Sequence, residues 1–136
     1  MRIANKAVQD KTIKFHPFRE VGGIILGKAW GESVEIKKLL QLSNTAKNQI
    51  NNYKLPNFLV VWLNIIPYLL KGMEVLGDWH SHPLNGSLMY TQEDSEEAMR
   101  KAKKNGGIYH LGIVNGKKRR MKVWKFLTEE YKQKNK

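Results

Sequence analysis

The sequence predicts an α/β fold in which a mixed central sheet is flanked by helices. Apolar stretches of strand length occur near both ends of the chain and in its middle, and each end carries a hairpin pattern. Between them lie two segments with helical spacing, at residues 55–71 and 91–104. We therefore expect an α/β sandwich that forms a single domain over residues 1–136.

The first half of the chain predicts a hairpin followed by a long loop. Residues 1–19 are weakly patterned, so a short strand with a helical turn and one irregular helix are both open there. Residues 21–30 and 34–42 favour two strands joined by a turn at residues 31–33. The polar stretch 44–57 predicts a loop that is long for a compact domain, which suggests a functional role.

The segment from Leu55 to Lys71 predicts a helix that ends at Gly72. Pro67 should kink this helix or split it in two. Its apolar residues recur at three- and four-residue steps, and we expect this stripe to face the core. The stripe consists of Leu59, Trp62, Leu63, Ile66, Leu69 and Leu70.

The second half predicts a central strand at residues 73–79, a helix at 91–104 and a final strand pair. Acidic residues crowd the start of the helix and basic residues its end, which suits the helix dipole. Strands at 107–114 and 119–126 flank an Asn-Gly dipeptide, which is typical of tight hairpins. The charged residues 128–136 are expected to fray.

The run GDWHSHP at residues 77–83 predicts a metal site. Side chains alternate between faces in a strand, so His80 and His82 project to the same side, and Pro83 should end the strand beside them. Asp94 follows near the start of the predicted helix. Two imidazoles and one carboxylate form a ligand set that catalytic zinc sites use, with a fourth position open to water. Helix capping is the simpler role open to Asp94.

These residues resemble the signature of the JAMM (JAB/MPN-domain) metalloproteases. That signature contains His-x-His-Pro, a short loop, Ser-x-x-Asp, and an upstream glutamate before a Gly-Gly strand, which Glu20 and residues 21–27 match. The resemblance extends from about Glu20 to Phe126 and is strongest to stand-alone prokaryotic members. It implies the MPN (cytidine-deaminase-like) α/β sandwich, with a helix near the N-terminus.

Two departures from that signature affect the register of the site. The loop after His82 is one residue longer than the common spacing, and threonine replaces the usual serine. Rigid counting would put Tyr90 and Glu93 in the serine and aspartate positions. The Thr-x-x-Asp pairing of Thr91 with Asp94 favours a register shifted by one residue.

The resemblance implies a role for each remaining site residue. Glu20 would be the general base beside the metal, and a solvated glutamate paired with Arg19 is the alternative. Thr91 would donate a hydrogen bond to the developing oxyanion, although N-capping would also explain it. Ser81 would lie behind the ligands as a hydrogen-bond donor. The implied cofactor is one zinc ion per chain.

The implied function is a zinc-dependent peptidase or isopeptidase. It would cleave the amide bond after the C-terminus of a ubiquitin or ubiquitin-like protein. Its partners would be that protein or its conjugates, with conjugation machinery encoded nearby. Antiviral defence and sulfur-carrier metabolism are both open as pathways. The alternatives are a non-catalytic MPN scaffold and a basic nucleic-acid-binding module.

Composition narrows the kinds of metal ligand, cellular location and partner that are open to this chain. The chain has no cysteine, which excludes disulfides and thiolate metal ligands. Residues 58–70 are too short to span a membrane, and no secretory signal is evident, so we expect a cytoplasmic protein. The net charge of +12 suits an acidic partner, but a lysine-rich soluble surface explains it equally well. The basic run 117–120 lies in a predicted hairpin, where it discourages strand pairing, so nucleic acid is the less favoured partner.

Overall fold

One mixed sheet runs through the protein, with helices packed against it. The computed structural model describes residues 2–31, 33–48, 52–82 and 87–135. Within these ranges the strands are β1 Arg2–Ala7, β2 Gly22–Trp30, β3 Ser33–Leu42, β4 Glu74–Ser81, β5 Ile108–Asn115 and β6 Arg120–Leu127. The helices are α1 Phe58–Leu70, α2 Gln92–Lys104 and α3 Glu129–Lys134. The predicted α/β architecture is confirmed.

The order of the strands across the sheet is β1-β6-β5-β4-β2-β3. β4 and β5 run parallel, whereas every other neighbouring pair runs antiparallel. A parallel pair needs a crossover connection, and α2 lies in the connection between these two strands. The crossover carries the start of α2 to the carboxyl end of β4, which is where α/β units of this kind build their sites.

The two longer helices pack on different strands of the sheet. α1 covers β2 and β3, where Ile65 joins a buried cluster with Ile24, Leu26 and Leu42. α2 covers β5 and β6 instead. Its small residues allow close packing on a buried cluster that contains Ala98, Ala102, Tyr109, Leu111, Ile113 and Phe126.

The face of α1 that packs on the sheet is not the predicted one. Ile65 is 6% exposed, whereas Leu63 is 61% exposed. Most of the predicted stripe is exposed instead, namely Leu59, Trp62, Leu63 and Leu70. The helix carries apolar residues on all sides, so their spacing did not indicate which side packs on the sheet. The helix also continues unbroken through Pro67, which lies near its end, so the predicted split is wrong.

The N-terminal segment contains a strand and not the helix that the family resemblance implied. β1 pairs antiparallel with β6 at the edge of the sheet. The segment that follows β1 is irregular and is held by Arg119, whose guanidinium donates to the carbonyls of Asp10, at 2.6 Å, and of Val8 and Ile13. Those contacts join residues more than a hundred positions apart, which local sequence patterns do not encode.

The C-terminal segment forms a helix where fraying was predicted. The hydroxyl of Thr128 accepts a hydrogen bond from the backbone N–H of Tyr131 and caps α3, and Thr128 itself is buried. Glu129 and Glu130 lie in the first turn and lysines in the last, which suits the helix dipole. The prediction of fraying rested on the charge of this segment and did not include the cap at Thr128.

Several predicted features lie outside the described residues. These are Glu32 of the hairpin turn, residues 49–51 of the long loop, and residues 83–86, including Pro83, after β4. The described parts of the loop, residues 43–48 and 52–57, contain no helix or strand, as predicted.

The orientation of α1 predicts different losses of stability for substitutions at Ile65 and Leu63. Ile65→Ala should lower the free energy of unfolding by about 2–5 kcal/mol, because it opens a cavity in the core. Leu63 lies on the exposed side of the helix, so Leu63→Ala should change the free energy of unfolding by about 0.5 kcal/mol or less. Urea denaturation followed by circular dichroism measures both. Equal losses for the two variants would contradict this orientation of α1.

Candidate metal centre

The end of β4 presents two histidines to the same side of the sheet. The Nε2 atoms of His80 and His82 lie 3.1 Å apart. Both residues are buried, at 7% and 8% exposed. The backbone N–H of His82 donates to the carbonyl of Val114 on β5, which keeps the chain extended past the end of β4. The alternation expected of a strand therefore does bring the two rings together.

Asp94 reaches the histidines from the first turn of α2. Its Oδ1 lies 3.3 Å from Nε2 of His80, and its Oδ2 lies 3.6 Å from Nε2 of His82. The same carboxylate accepts a hydrogen bond from the backbone N–H of Thr91, and the Thr91 hydroxyl accepts one from the N–H of Asp94. This reciprocal pair is a capping box. Asp94 thus caps the helix and faces the imidazoles at once.

The three side chains fit a divalent cation. Ligand atoms about 2.0–2.1 Å from a tetrahedral zinc ion lie about 3.4 Å from one another. The distances of 3.1, 3.3 and 3.6 Å among the two imidazole nitrogens and the carboxylate oxygens bracket that value. Together His80, His82 and Asp94 form a group that could hold a metal ion. Three ligands leave one tetrahedral position for water or substrate.

Electrostatics favour a charged carboxylate in this group. Burial opposes the charge of Asp94, but hydrogen bonds with the two imidazoles outweigh it and hold the pKa of Asp94 below its usual range. Burial also lowers the pKa of His80, and the neighbouring carboxylate outweighs that effect and raises it. Asp94 is therefore ionised at neutral pH, as a metal ligand must be, and a metal ion would compete with a proton for His80.

Glu20 lines a cavity together with two of the three residues of the metal-binding group. The cavity measures about 580 Å³ and is also lined by His82, Thr91 and Asp94. Glu20 is 8% exposed, and burial raises the pKa of its carboxyl although the neighbouring histidines oppose this effect. No ion pair joins Glu20 to Arg19 in the part of the chain described here. The buried position therefore does not match the alternative of a solvated, paired glutamate.

Two hydrogen bonds fasten the segment of Glu20 to β4. The hydroxyl of Ser81 accepts a hydrogen bond of 3.0 Å from the backbone N–H of Val21, and the Ser81 N–H donates to the Val21 carbonyl at 2.8 Å. Ser81 is 1% exposed and lies between the two histidines in sequence. It thus holds the segment of Glu20 beside the two histidines, as an acceptor where a donor was predicted.

Asn44 and Tyr53 contribute to the site, although no local sequence pattern predicted their roles. The Asn44 amide donates to the carbonyls of Glu20 and Asn52, at 3.0 and 2.8 Å. Tyr53 lines the cavity, and its hydroxyl donates to the carbonyl of Leu42. Its ring lies against Gly22, where any Cβ would collide with it. These contacts fold the long loop over the Glu20 side of the cavity.

The alternative register of the site does not form. Glu93 is exposed and takes no part in the group of His80, His82 and Asp94. Tyr90, the other residue of that register, packs its ring edge-on against Trp124 and Phe126. The cap at Thr91 sets this register, because it fixes which residue occupies the first turn of α2.

The chain matches the family model for prokaryotic homologs of the JAB domain over residues 7–127. It belongs to that family. This JAB-domain protein is also similar in fold to the solution structure of protein DSY2949 from Desulfitobacterium hafniense, with a TM-score of 0.54 and 20% sequence identity. That match covers 73% of this chain and 61% of the other. No curated protein matches the chain.

The geometry predicts which carboxylate binds metal. Asp94→Asn should keep the capping contacts of α2, because an amide oxygen can still accept the Thr91 N–H, but it removes the anionic ligand. We expect the purified wild-type protein to carry about one zinc ion per chain and the variant to lose most of it. Glu93→Ala is the matched control and should retain the metal. Elemental analysis after dialysis measures both, and greater loss from Glu93→Ala would show that the register is wrong.

Proposed function

We propose that this JAB-domain protein is a zinc-dependent peptidase or isopeptidase. Its substrate would be the amide bond after the C-terminus of a ubiquitin-like protein, either in a conjugate or in a precursor tail. The observation that carries the proposal is the meeting of His80, His82 and Asp94 at one point, with the buried Glu20 lining the same cavity.

Zinc in this site would supply a Lewis acid that polarises a carbonyl and lowers the pKa of bound water to about 7. His80, His82 and Asp94 would hold it. Glu20 would accept the proton released when water attacks the carbonyl, and would then deliver a proton to the leaving amine. Burial raises the pKa of Glu20 and so moves it toward neutral pH, where a carboxyl can both accept and release a proton.

Thr91 is positioned for a second role besides capping. Its oxygen accepts the N–H of Asp94, so its hydroxyl hydrogen remains available to donate, and the residue lines the cavity. Such a donor stabilises the negative charge that develops on the carbonyl oxygen. Threonine offers the same hydroxyl as the serine of the family signature, so its presence is compatible with catalysis.

The long loop supports a substrate with an extended tail. Asn52 and Tyr53 line both the cavity at Glu20 and a second cavity of about 700 Å³ on the His80 side. The group formed by His80, His82 and Asp94 therefore lies between two openings. A tail could approach from one opening while the leaving amine departs through the other. Partners encoded nearby, in antiviral defence or sulfur-carrier metabolism, would supply that tail.

Two other functions have weaker support. A non-catalytic scaffold would not need the buried Glu20 or the three converging ligands, all of which are present. A nucleic-acid-binding surface would need the basic run 117–120 to face solvent freely. Lys117, Lys118 and Arg120 are exposed, but the guanidinium of Arg119 is bound by backbone carbonyls around Asp10, so the run offers fewer cations than its sequence suggests. No helix in the described residues is long and apolar enough to cross a membrane.

Replacement of the proposed base separates catalysis from metal binding. Glu20→Gln should retain zinc, because Glu20 is not in the ligand group, but should lose at least about 100-fold in turnover. The assay is release of a reporter fused to the C-terminus of a ubiquitin-like protein. The double variant His80→Ala, His82→Ala should lose both zinc and activity. Turnover by Glu20→Gln equal to wild type would remove Glu20 from the mechanism.

Variants of Thr91 separate its capping role from its proposed catalytic role. Thr91→Ser keeps the hydroxyl and the cap and should stay near wild-type activity. Thr91→Asp keeps a capping oxygen but cannot donate a hydrogen bond, so turnover should fall about 100-fold while Tm changes little. Thr91→Ala should lower both. If the Asp variant keeps its activity at unchanged zinc content, then Thr91 serves only as the helix cap.

A further inference from the structure

A buried acidic residue with no role in the proposed reaction lies close to the metal-binding group. Asp78 is on β4 two residues before His80, so both side chains point to the same face of the strand. Asp78 is 7% exposed. Its Oδ2 accepts hydrogen bonds from Nζ of Lys101 and from the hydroxyl of Tyr109, each at 2.5 Å. A carboxylate buried this deeply is stable only when it is paired, and this one has two donors.

The cation of this pair is on the helix that carries Asp94. Lys101 follows Asp94 by about two turns of α2, which puts both side chains on one side of the helix, roughly 10 Å apart along its axis. Its ammonium also lies over the ring of Tyr109, 5.6 Å from the centroid. The second cavity is lined by all four of these residues, Asp78, Asp94, Lys101 and Tyr109, together with His80.

α2 contacts the histidine strand through polar groups rather than through the core. The buried apolar cluster beneath α2 contains residues of β5 and β6 and none of β4. In the described part of the chain, two side chains of α2 make ion pairs with β4. They are Asp94, with His80, and Lys101, with Asp78. The Lys101–Asp78 pair is therefore a second connection between α2 and β4, and it does not involve the metal-binding group.

We propose that Asp78, Lys101 and Tyr109 are positioning residues that set α2 against β4 and so hold Asp94 at the imidazoles before metal enters. This role rests on the proposed metal site. The ion pair of Asp78 with Lys101 fixes the distance between β4 and α2 at one point. Because the helix is rigid, this pair also fixes the position of Asp94, two turns earlier in α2. Tyr109, on β5, fixes the direction of the Asp78 carboxylate. None of the three residues belongs to the ligand group.

The experiment compares zinc affinity between two lysine variants of the same helix. Lys101→Met removes the cation but keeps most of the side-chain volume, and we expect zinc to bind about 10-fold more weakly, as when outer partners of metal ligands are removed. Lys103→Met is the matched control, because Lys103 is exposed on the same helix and should bind zinc like wild type. Competition with a chromophoric chelator at fixed pH measures the affinities.

Two further measurements distinguish positioning from a general loss of stability. Lys101→Arg restores a cation with donors and should recover most of the zinc affinity. The cobalt-substituted Lys101→Met protein should show an altered visible spectrum, because the Asp94 ligand is displaced. A purely structural contact would lower Tm of the metal-free protein while zinc affinity of the folded protein and the cobalt spectrum stayed as in wild type. That result would overturn the positioning role.

The outcomes also separate this role from the metal site itself. A wild-type protein that takes up no zinc overturns both proposals. A wild-type protein that binds zinc, with Lys101→Met binding it equally well, overturns the positioning role alone. If Lys101→Met does not fold, Tyr109→Phe decides the matter, because it removes one of the two donors to Asp78 and keeps the ring. Weaker zinc binding by Tyr109→Phe supports the role, and unchanged binding overturns it.

Discussion

The site of this protein depends on the parallel pairing of β4 with β5. Because parallel neighbours cannot be joined by a tight turn, the chain must cross over through α2, and the start of that helix returns to the end of β4. The histidines come from the strand and the aspartate from the helix. An antiparallel connection at this place would have sent the chain back along β4 and left the imidazoles without a carboxylate.

A second constraint is the burial of charge beside the metal-binding group. Glu20 and Asp78 are both buried carboxyl groups that raise the pKa of His80, but their surroundings differ. Asp78 has a lysine and a tyrosine as donors, whereas the raised pKa of Glu20 reflects burial. Two donors fix the direction of the Asp78 carboxylate, whereas burial disfavours the charged form of a carboxyl. This difference in surroundings is why Asp78 is proposed to position α2 and Glu20 is proposed to act as the base.

Local patterns predicted the parts of the site that are local. The spacing of His80 and His82 follows from strand geometry, and the Thr-x-x-Asp cap fixed which acidic residue enters the first turn of α2. The face of α1 was mispredicted because apolar residues on all sides leave no period to follow. Asn44 and Arg119 act through backbone carbonyls distant in sequence, and such contacts exist only once the chain has folded.

The double role of Asp94 has a consequence for how a domain of this kind could lose a metal site over evolutionary time. The capping box of α2 needs an oxygen acceptor at this position whether or not a cation is present, and loss of a cap costs roughly 1 kcal/mol. The capping box does not involve His80 or His82. In descendants released from catalysis, drift should therefore erase the imidazoles first, and an aspartate at this position would by itself say little about surviving enzymatic function.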